Sequence, residues 1–288
     1  MFAVRVQVRW ALLARSGLVL TKAMSPQPLD ASPADELVTL WIGPGLSFLE
    51  RACLRSALSH GHKVALYSYA PPSGVPAGIE LRDAAAILPE SEIIRHRGGS
   101  PALFANRFRY ELLHRALGLW IDCDLYFVAP LRDLGDHVMG DQGGGIINSA
   151  VLKLPSASPV LSGLRAIFTN EKVPPWLPWR ARWEAGLRRV LTGRVDLARM
   201  PWGSAGPNAL TWLATAHGVA DRALPPAIFY PMPWTQADWI FDPARTLENV
   251  VAAETIAVHL WRERLRGRDF SAAPPGSFAA RLRREGAE

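Results

Sequence analysis

Apolar residues along this chain fall into short runs separated by glycine, proline and polar turns. The first compact run is Leu37-Val38-Thr39-Leu40-Trp41-Ile42-Gly43, closed by Gly43-Pro44-Gly45; its length and bulky side chains predict a buried strand. Ser47 then precedes Leu49, Ala52, Cys53 and Ala57, a helical spacing with a serine placed to cap it. Gly61 ends that helix, and Lys63-Val64-Ala65-Leu66-Tyr67-Ser68-Tyr69, stopped by Pro71-Pro72, predicts a second strand. Strand, helix and strand in this order predict a parallel α/β sheet with a right-handed crossover. Ile79 to Leu88 reads as a third, more polar strand, interrupted by Glu80, Arg82 and Asp83.

Leu103 to Leu117 has helical periodicity: Phe104, Phe108, Leu112 and Ala116 form one stripe, and Asn106, Arg109 and Leu113 another. Gly118 ends it, and Leu119-Trp120-Ile121-Asp122-Cys123-Asp124-Leu125-Tyr126-Phe127 follows as one strand. Alternation along that strand turns Cys123 away from both aspartates, toward the core. Gly143-Gly144-Gly145 leads into a further strand, Ile146 to Leu152, with Asn148 and Ser149 embedded in it. Those glycines allow either a close approach by a ligand or backbone, or a simple turn. Between Val173 and Trp183, Pro174, Pro175 and Pro178 space out Trp176, Trp179 and Trp183, which suits a stiff sugar-stacking surface or the core of a small helical subdomain. No repeat or linker divides the chain. The expected layout is one domain over 35–270 with a helical, Trp/Pro-rich insertion at about 161–199, preceded by a poorly ordered basic extension (1–34) and followed by a basic tail (271–288).

Composition narrows the class. With 288 residues, 49% apolar and 20% charged, the chain can bury the core of one large α/β domain. The net charge of +6 concentrates in arginines at the two ends, Arg5, Arg9 and Arg15, then Arg262, Arg264, Arg266, Arg268, Arg281, Arg283 and Arg284. A solvated tail and a contact with a polyanion or membrane surface both fit that distribution. Nucleic acid does not, because no recognisable module interleaves these residues with aromatics. Two cysteines, Cys53 and Cys123, make neither a disulfide framework nor a zinc site, as in a reducing cytosol. No run is apolar enough to span a bilayer, and Arg15 interrupts the one candidate signal core. A cytoplasmic chain, with room for a peripheral contact at the inner membrane face, is the expectation.

The aspartates supply the chemistry. Two ionised carboxylates in an apolar run are costly unless something pairs with them, and oxygen ligands one residue apart suit a divalent cation. Asn106 and Arg109, three apart on a helix, can project side by side. Arg109 then either neutralises a phosphate near the metal or makes a structural ion pair.

Four stretches together resemble the retaining glycosyltransferases whose sugar-nucleotide region carries Asp-x-Asp, a family that includes capsular polysaccharide, initiating mannosyl- and lactosylceramide galactosyltransferases. They are Leu40-Trp41-Ile42-Gly43, Ala105 to Leu113, Gly118 to Asp124, and Val258-His259-Leu260-Trp261, in family order. Ala105, Asn106 and Leu117 depart from the usual serine, aspartate and glycine. The resemblance implies a glycosyltransferase A-type α/β fold, a single Rossmann-like, mostly parallel sheet flanked by helices. It implies donor contacts at Trp41, Gly43, Asn106, Arg109 and Asp122, with Asp122 and Arg109 catalytic. It also implies a metal held by Asp122, Asp124 and His259. The ion would be Mn²⁺ or Mg²⁺, an imidazole ligand favouring Mn²⁺.

Asn148, Ser149, Gly206, Pro207 and Trp261 would line the acceptor side. The implied reaction moves a sugar from a nucleotide-diphosphate donor, commonly a UDP-sugar, to a saccharide or glycolipid hydroxyl with retention of configuration. Two other classes share parts of this pattern: a haloacid-dehalogenase-type phosphotransferase with Asp122 as nucleophile, and a non-catalytic carbohydrate- or partner-binding module on the same fold.

Overall fold

A computed structural model describes residues 35–169 and 171–287, which belong to one compact unit. The extension expected over 1–34 lies outside the described residues. Eight strands form among the described residues: β1 (Leu37–Leu40), β2 (Val64–Ser68), β3 (Glu80–Asp83), β4 (Leu119–Ile121), β5 (Leu125–Phe127), β6 (Val138–Asp141), β7 (Ile147–Lys153) and β8 (Ala257–His259). Six of them make the main sheet in the order β3-β2-β1-β4-β7-β6. The pairs among β3, β2, β1 and β4 are parallel, and β7 joins β4 and β6 antiparallel. The chain thus adopts the expected α/β class, a mostly parallel sheet flanked by helices.

Helix α1 (Phe48–Ser59) connects β1 to β2. Its start is fixed by a capping box: Ser47 Oγ accepts from the Leu49 N–H (3.3 Å), and Glu50 accepts from the Ser47 N–H (2.9 Å), so two otherwise orphaned donors are satisfied. Helix α2 (Ala102–His114) returns the chain to β4, beside β1. Because successive strand residues face opposite ways, Leu37 and Val38 enter different cores. Leu37, Leu66 and Leu119 pack with α1 on one face. Val38, Ala65 and Trp120 pack on the other with α2, α3 (Pro159–Ala166) and α5 (Pro207–Ala216). Burial on both faces explains why these strands read as continuous apolar runs.

Two expectations change in detail, and two alternatives left open are resolved. The Leu119–Phe127 run is not one strand. After Ile121 the Asp122 N–H still donates to Ala150 O (2.8 Å), the chain turns at Cys123-Asp124, and β5 leaves the sheet to pair antiparallel with β8. The turn keeps both carboxylates from being buried inside a sheet, and it leaves Cys123 at the edge of the core, its thiol 3.2 Å from Thr39 Oγ1. Gly143 to Gly145 make a simple exposed turn, with the Gly143 N–H donating to Asp141 (2.7 Å). The proline-spaced tryptophans divide. Trp176 packs on Trp212 and donates to Ser204 O (2.7 Å), whereas Trp179 and Trp183 are exposed on α4 (Trp179–Thr192).

The other changed expectation concerns the basic C-terminal stretch. After the short turns α6 (Pro226–Phe229) and α7 (Leu247–Val250), residues Phe278–Ala287 form α8, which packs on α1. Phe278, Ala279 and Leu282 are buried, Trp239 stacks on Phe278 at 5.2 Å, and a side chain at Gly286 would collide with the Phe48 backbone. Arg283 and Arg284 face outward, while the half-buried Arg281 donates to the Tyr126 hydroxyl (3.0 Å); arginines on both sides of so narrow an apolar stripe are why composition alone suggests a tail. Leu282→Ala is expected to destabilise the protein by about 2–5 kcal/mol. Arg284→Ala, on the exposed side, should stay within about 0.5 kcal/mol. Urea denaturation of the two variants checks this, and equal midpoints would mean that α8 adds nothing to the fold.

Candidate active site

Arg109 is the hub of the site. It lies midway along α2 with its side chain only 4% exposed. Its guanidinium donates to Asn106 Oδ1 (2.5 Å), Ser149 Oγ (2.7 Å) and Asp122 Oδ1 (2.5 Å), and it stacks 4.6 Å from the Trp120 ring. Trp120 Nε1 donates to the same Asp122 oxygen (2.7 Å). Neighbours three apart on α2 and the end of β4 therefore converge as the helical spacing predicts, and the arginine's planar fork holds several acceptors at once. Of the two roles open to Arg109, the ion pair is present, and its partner is the first aspartate of the motif.

Asp124 belongs to a second cluster. The β5–β8 register sets Leu125 opposite His259, bringing His259 Nε2 to 3.3 Å from Asp124 Oδ1. Just beyond β8, Trp261 adopts a left-handed conformation (φ 55°), unusual for a bulky residue. The reversal turns the Arg262 N–H back onto Asp124 Oδ2 (2.9 Å), while the Leu260 N–H donates to the Asp124 carbonyl (3.0 Å). Trp261 is held there by its Nε1 bond to Met232 O (2.8 Å) and packs edge-on to His259, 4.2 Å between centroids.

Burial pushes the Asp124 carboxyl up, but the His259 imidazolium and the Arg262 N–H outweigh it and hold the group at about 2. For His259, burial acts downward and the Asp124 charge more than reverses it, so its pKa is raised. His259 Nδ1 and the Tyr230 hydroxyl are buried without a partner among the described residues.

Asp122, Asp124 and His259 each offer a ligand atom, all within 4.8 Å of one another. Two carboxylates and an imidazole at that separation fit a hard or borderline divalent cation. The group opens on a cavity of about 940 Å³ that is also lined by Trp41, Asn106, Arg109, Asn148, Ser149, Pro207 and Trp261. Trp41 lies under the Arg262 guanidinium (5.3 Å), and its Nε1 is a buried donor with no partner among the described residues. Asn148 donates to Gln142 (2.5 Å) on the same wall. Gly43 and Gly206 are not on the wall. A Cβ at Gly43 would come 3.2 Å from Trp41 Nε1, and one at Gly206 3.2 Å from the Asn106 amide, so each glycine makes room for a residue that is.

Sequence reasoning missed part of the lining. Arg262, Arg264 and Arg266, counted with the basic end, face the cavity, as do Trp202 and Trp234, and Arg264 stacks on Trp234 at 4.9 Å. The available signal was their position directly after His259-Leu260-Trp261.

The known proteins that this chain resembles are glycosyltransferases. More particularly, residues 200–285 match the family model described as the alpha 1,4-glycosyltransferase conserved region. Similar proteins include the lactosylceramide 4-alpha-galactosyltransferases of Homo sapiens and Rattus norvegicus, each 25% identical over 177 residues, 57% of this chain and 42% of the relative. The chain spans less than half the length of these relatives. Looser likenesses to solved structures include an active-site mutant of LgtC (12% identity, 88% of this chain and 95% of that one, TM-score 0.41) and the PaToxG glycosyltransferase (11%, 65% and 72%, TM-score 0.40); neither bears on the details of the site.

Proposed function

We propose that this chain transfers a sugar from a nucleotide-diphosphate donor, a UDP-sugar, to a hydroxyl of a saccharide or glycolipid acceptor, with a divalent metal and with retention of configuration. The observation that carries this reading is the Asp122, Asp124 and His259 cluster, its ligand atoms within 4.8 Å, beside a buried arginine on the wall of one large cavity.

Asp124 and His259 are the residues to hold the ion, with Asp122 shared between the ion and the donor. When bound, Mn²⁺ or Mg²⁺ would draw negative charge from the departing diphosphate, and the imidazole favours Mn²⁺. Arg109 keeps Asp122 in one orientation and adds a fixed positive charge at the cavity wall, the preorganised electrostatics that costs nothing to arrange during reaction. Trp41 offers its ring to the base. Asn148, Ser149, Pro207 and Trp261 line the space left for the acceptor. The bond from the anomeric carbon to the diphosphate oxygen breaks, the bond to the acceptor oxygen forms, and the acceptor's proton passes to a leaving diphosphate oxygen.

The nucleophilic role that the phosphotransferase alternative asks of Asp122 is opposed by the two hydrogen bonds its Oδ1 accepts from Arg109 and Trp120. The test is a screen of UDP- and GDP-sugars for hydrolysis with and without Mn²⁺, the product anomer being read by NMR. Turnover of one UDP-sugar only with metal, with retention, is expected. No turnover of any donor, together with no thermal stabilisation by UDP plus Mn²⁺, would remove the proposal in favour of a non-catalytic module.

A further inference from the structure

The helix α4 has its apolar side facing outward. With 3.6 residues per turn, Trp179, Trp183, Leu187, Val190 and Leu191 share one arc, and Ala181, Ala185 and Arg188 fall opposite. The small residues face the protein: Ala181 and Ala185 pack against its core, and no residue of the helix is fully buried. The large apolar residues face solvent, with Trp179 69%, Trp183 67%, Leu187 47%, Val190 83% and Leu191 75% exposed. A contiguous apolar strip of this kind on a folded surface marks a contact site.

Charge identifies the partner. Lys172, Arg180, Arg182, Arg188, Arg189 and Arg194 lie on or beside the helix, against only Glu171 and Glu184. None of the six cations has a carboxylate partner among the described residues. At 100° per residue, Arg182 and Arg189 border one edge of the apolar arc, Arg180 falls within it between Leu187 and Leu191, and Glu184 borders the other edge. A second copy of the chain would bring two such cationic rims together, which like charge opposes. A surface with an apolar interior and anionic headgroups satisfies both the strip and the rim.

We propose that α4 is an interfacial anchor lying in the plane of an anionic phospholipid membrane, with its five large apolar residues in the acyl boundary and its arginines at the phosphates. Leu197, Met200 and Trp202 follow α4 in the chain and line the cavity, so a docked α4 keeps that cavity near the headgroups. The anchor stands whether or not the cavity transfers sugar.

Vesicle flotation of the full chain tests it, using phosphatidylcholine alone and phosphatidylcholine with about one part in three of phosphatidylglycerol. Binding is expected only to the anionic vesicles, weakening as salt is raised. The double variant Val190→Glu/Leu191→Glu should bind at least about tenfold more weakly with an unchanged melting temperature, since both positions are exposed. Three results would overturn the anchor. The variant could bind as well as the unaltered chain, which would assign binding to another segment. The unaltered chain could fail to bind anionic vesicles. Or it could form a dimer that the variant abolishes, with no vesicle binding.

Discussion

Asp124→Asn should lower metal-dependent turnover of the nucleotide sugar by at least about 10³-fold while leaving the metal-free protein folded. The asparagine oxygen can still accept the Arg262 N–H that Asp124 Oδ2 accepts at 2.9 Å, and the Leu260 N–H bonds to the backbone carbonyl, which the change does not touch. The turn after β8 therefore keeps its tie to β5. What disappears is the anionic oxygen 3.3 Å from His259 Nε2. A neutral amide is a poor ligand for a hard cation that favours carboxylates, and without the negative charge His259 loses the partner that raises its pKa. The measurement pairs steady-state turnover with thermal melting in the presence and absence of UDP and Mn²⁺. In the variant the metal-free melt should fall by a few degrees, because the buried pair with His259 no longer contributes stability at neutral pH, and the ligand-induced rise should vanish. Retention of that rise would mean that Asp124 does not hold the ion.

Arg109→Lys should cost about 10²-fold in kcat or more, with metal binding retained, and Arg109→Ala should in addition destabilise the fold. A single ammonium keeps the charge but cannot reproduce a fork that serves Asn106, Ser149 and Asp122 together. Truncation leaves Asp122 with only the Trp120 indole. Breaking a buried ion pair by removing one partner costs about 3–5 kcal/mol. The Asp122 side chain is 32% exposed, so water recovers part of that, and about 2–3 kcal/mol is the expected loss. Urea denaturation reads the alanine variant, and initial rates at saturating metal read the lysine one. A lysine variant with the parent's kcat would reduce Arg109 to a structural strut.

Much of the architecture is legible along the chain because each element carries a local signal. Leu37 to Gly43 and Lys63 to Tyr69 are bounded by turn residues, and β1 and β2 form inside them. Ser47 marks the start of α1 because a serine oxygen there satisfies free backbone donors. The Asn106/Arg109 pairing follows from helical spacing and is present at 2.5 Å. Where the reading departs from the structure, the deciding contact is distant in sequence. Nothing near Ile121 says that β5 will leave the sheet, since its partner β8 lies over a hundred residues on. Phe278, Ala279 and Leu282 look like interruptions in a basic tail until α1 offers them a surface.

The sequence by itself determined the elements, the alternation that fills two cores, and the residue types of the candidate site, since propensity, capping and hydrophobic period act within a few residues of one another. Only the tertiary structure decided that Arg109 holds Asp122 while His259 and the Arg262 N–H hold Asp124. It alone brought Arg262, Arg264 and Arg266 to the cavity and turned the apolar side of α4 outward. Those outcomes depend on which surfaces meet when distant segments pack, and burial and ion pairing are settled by that meeting rather than by spacing along the chain.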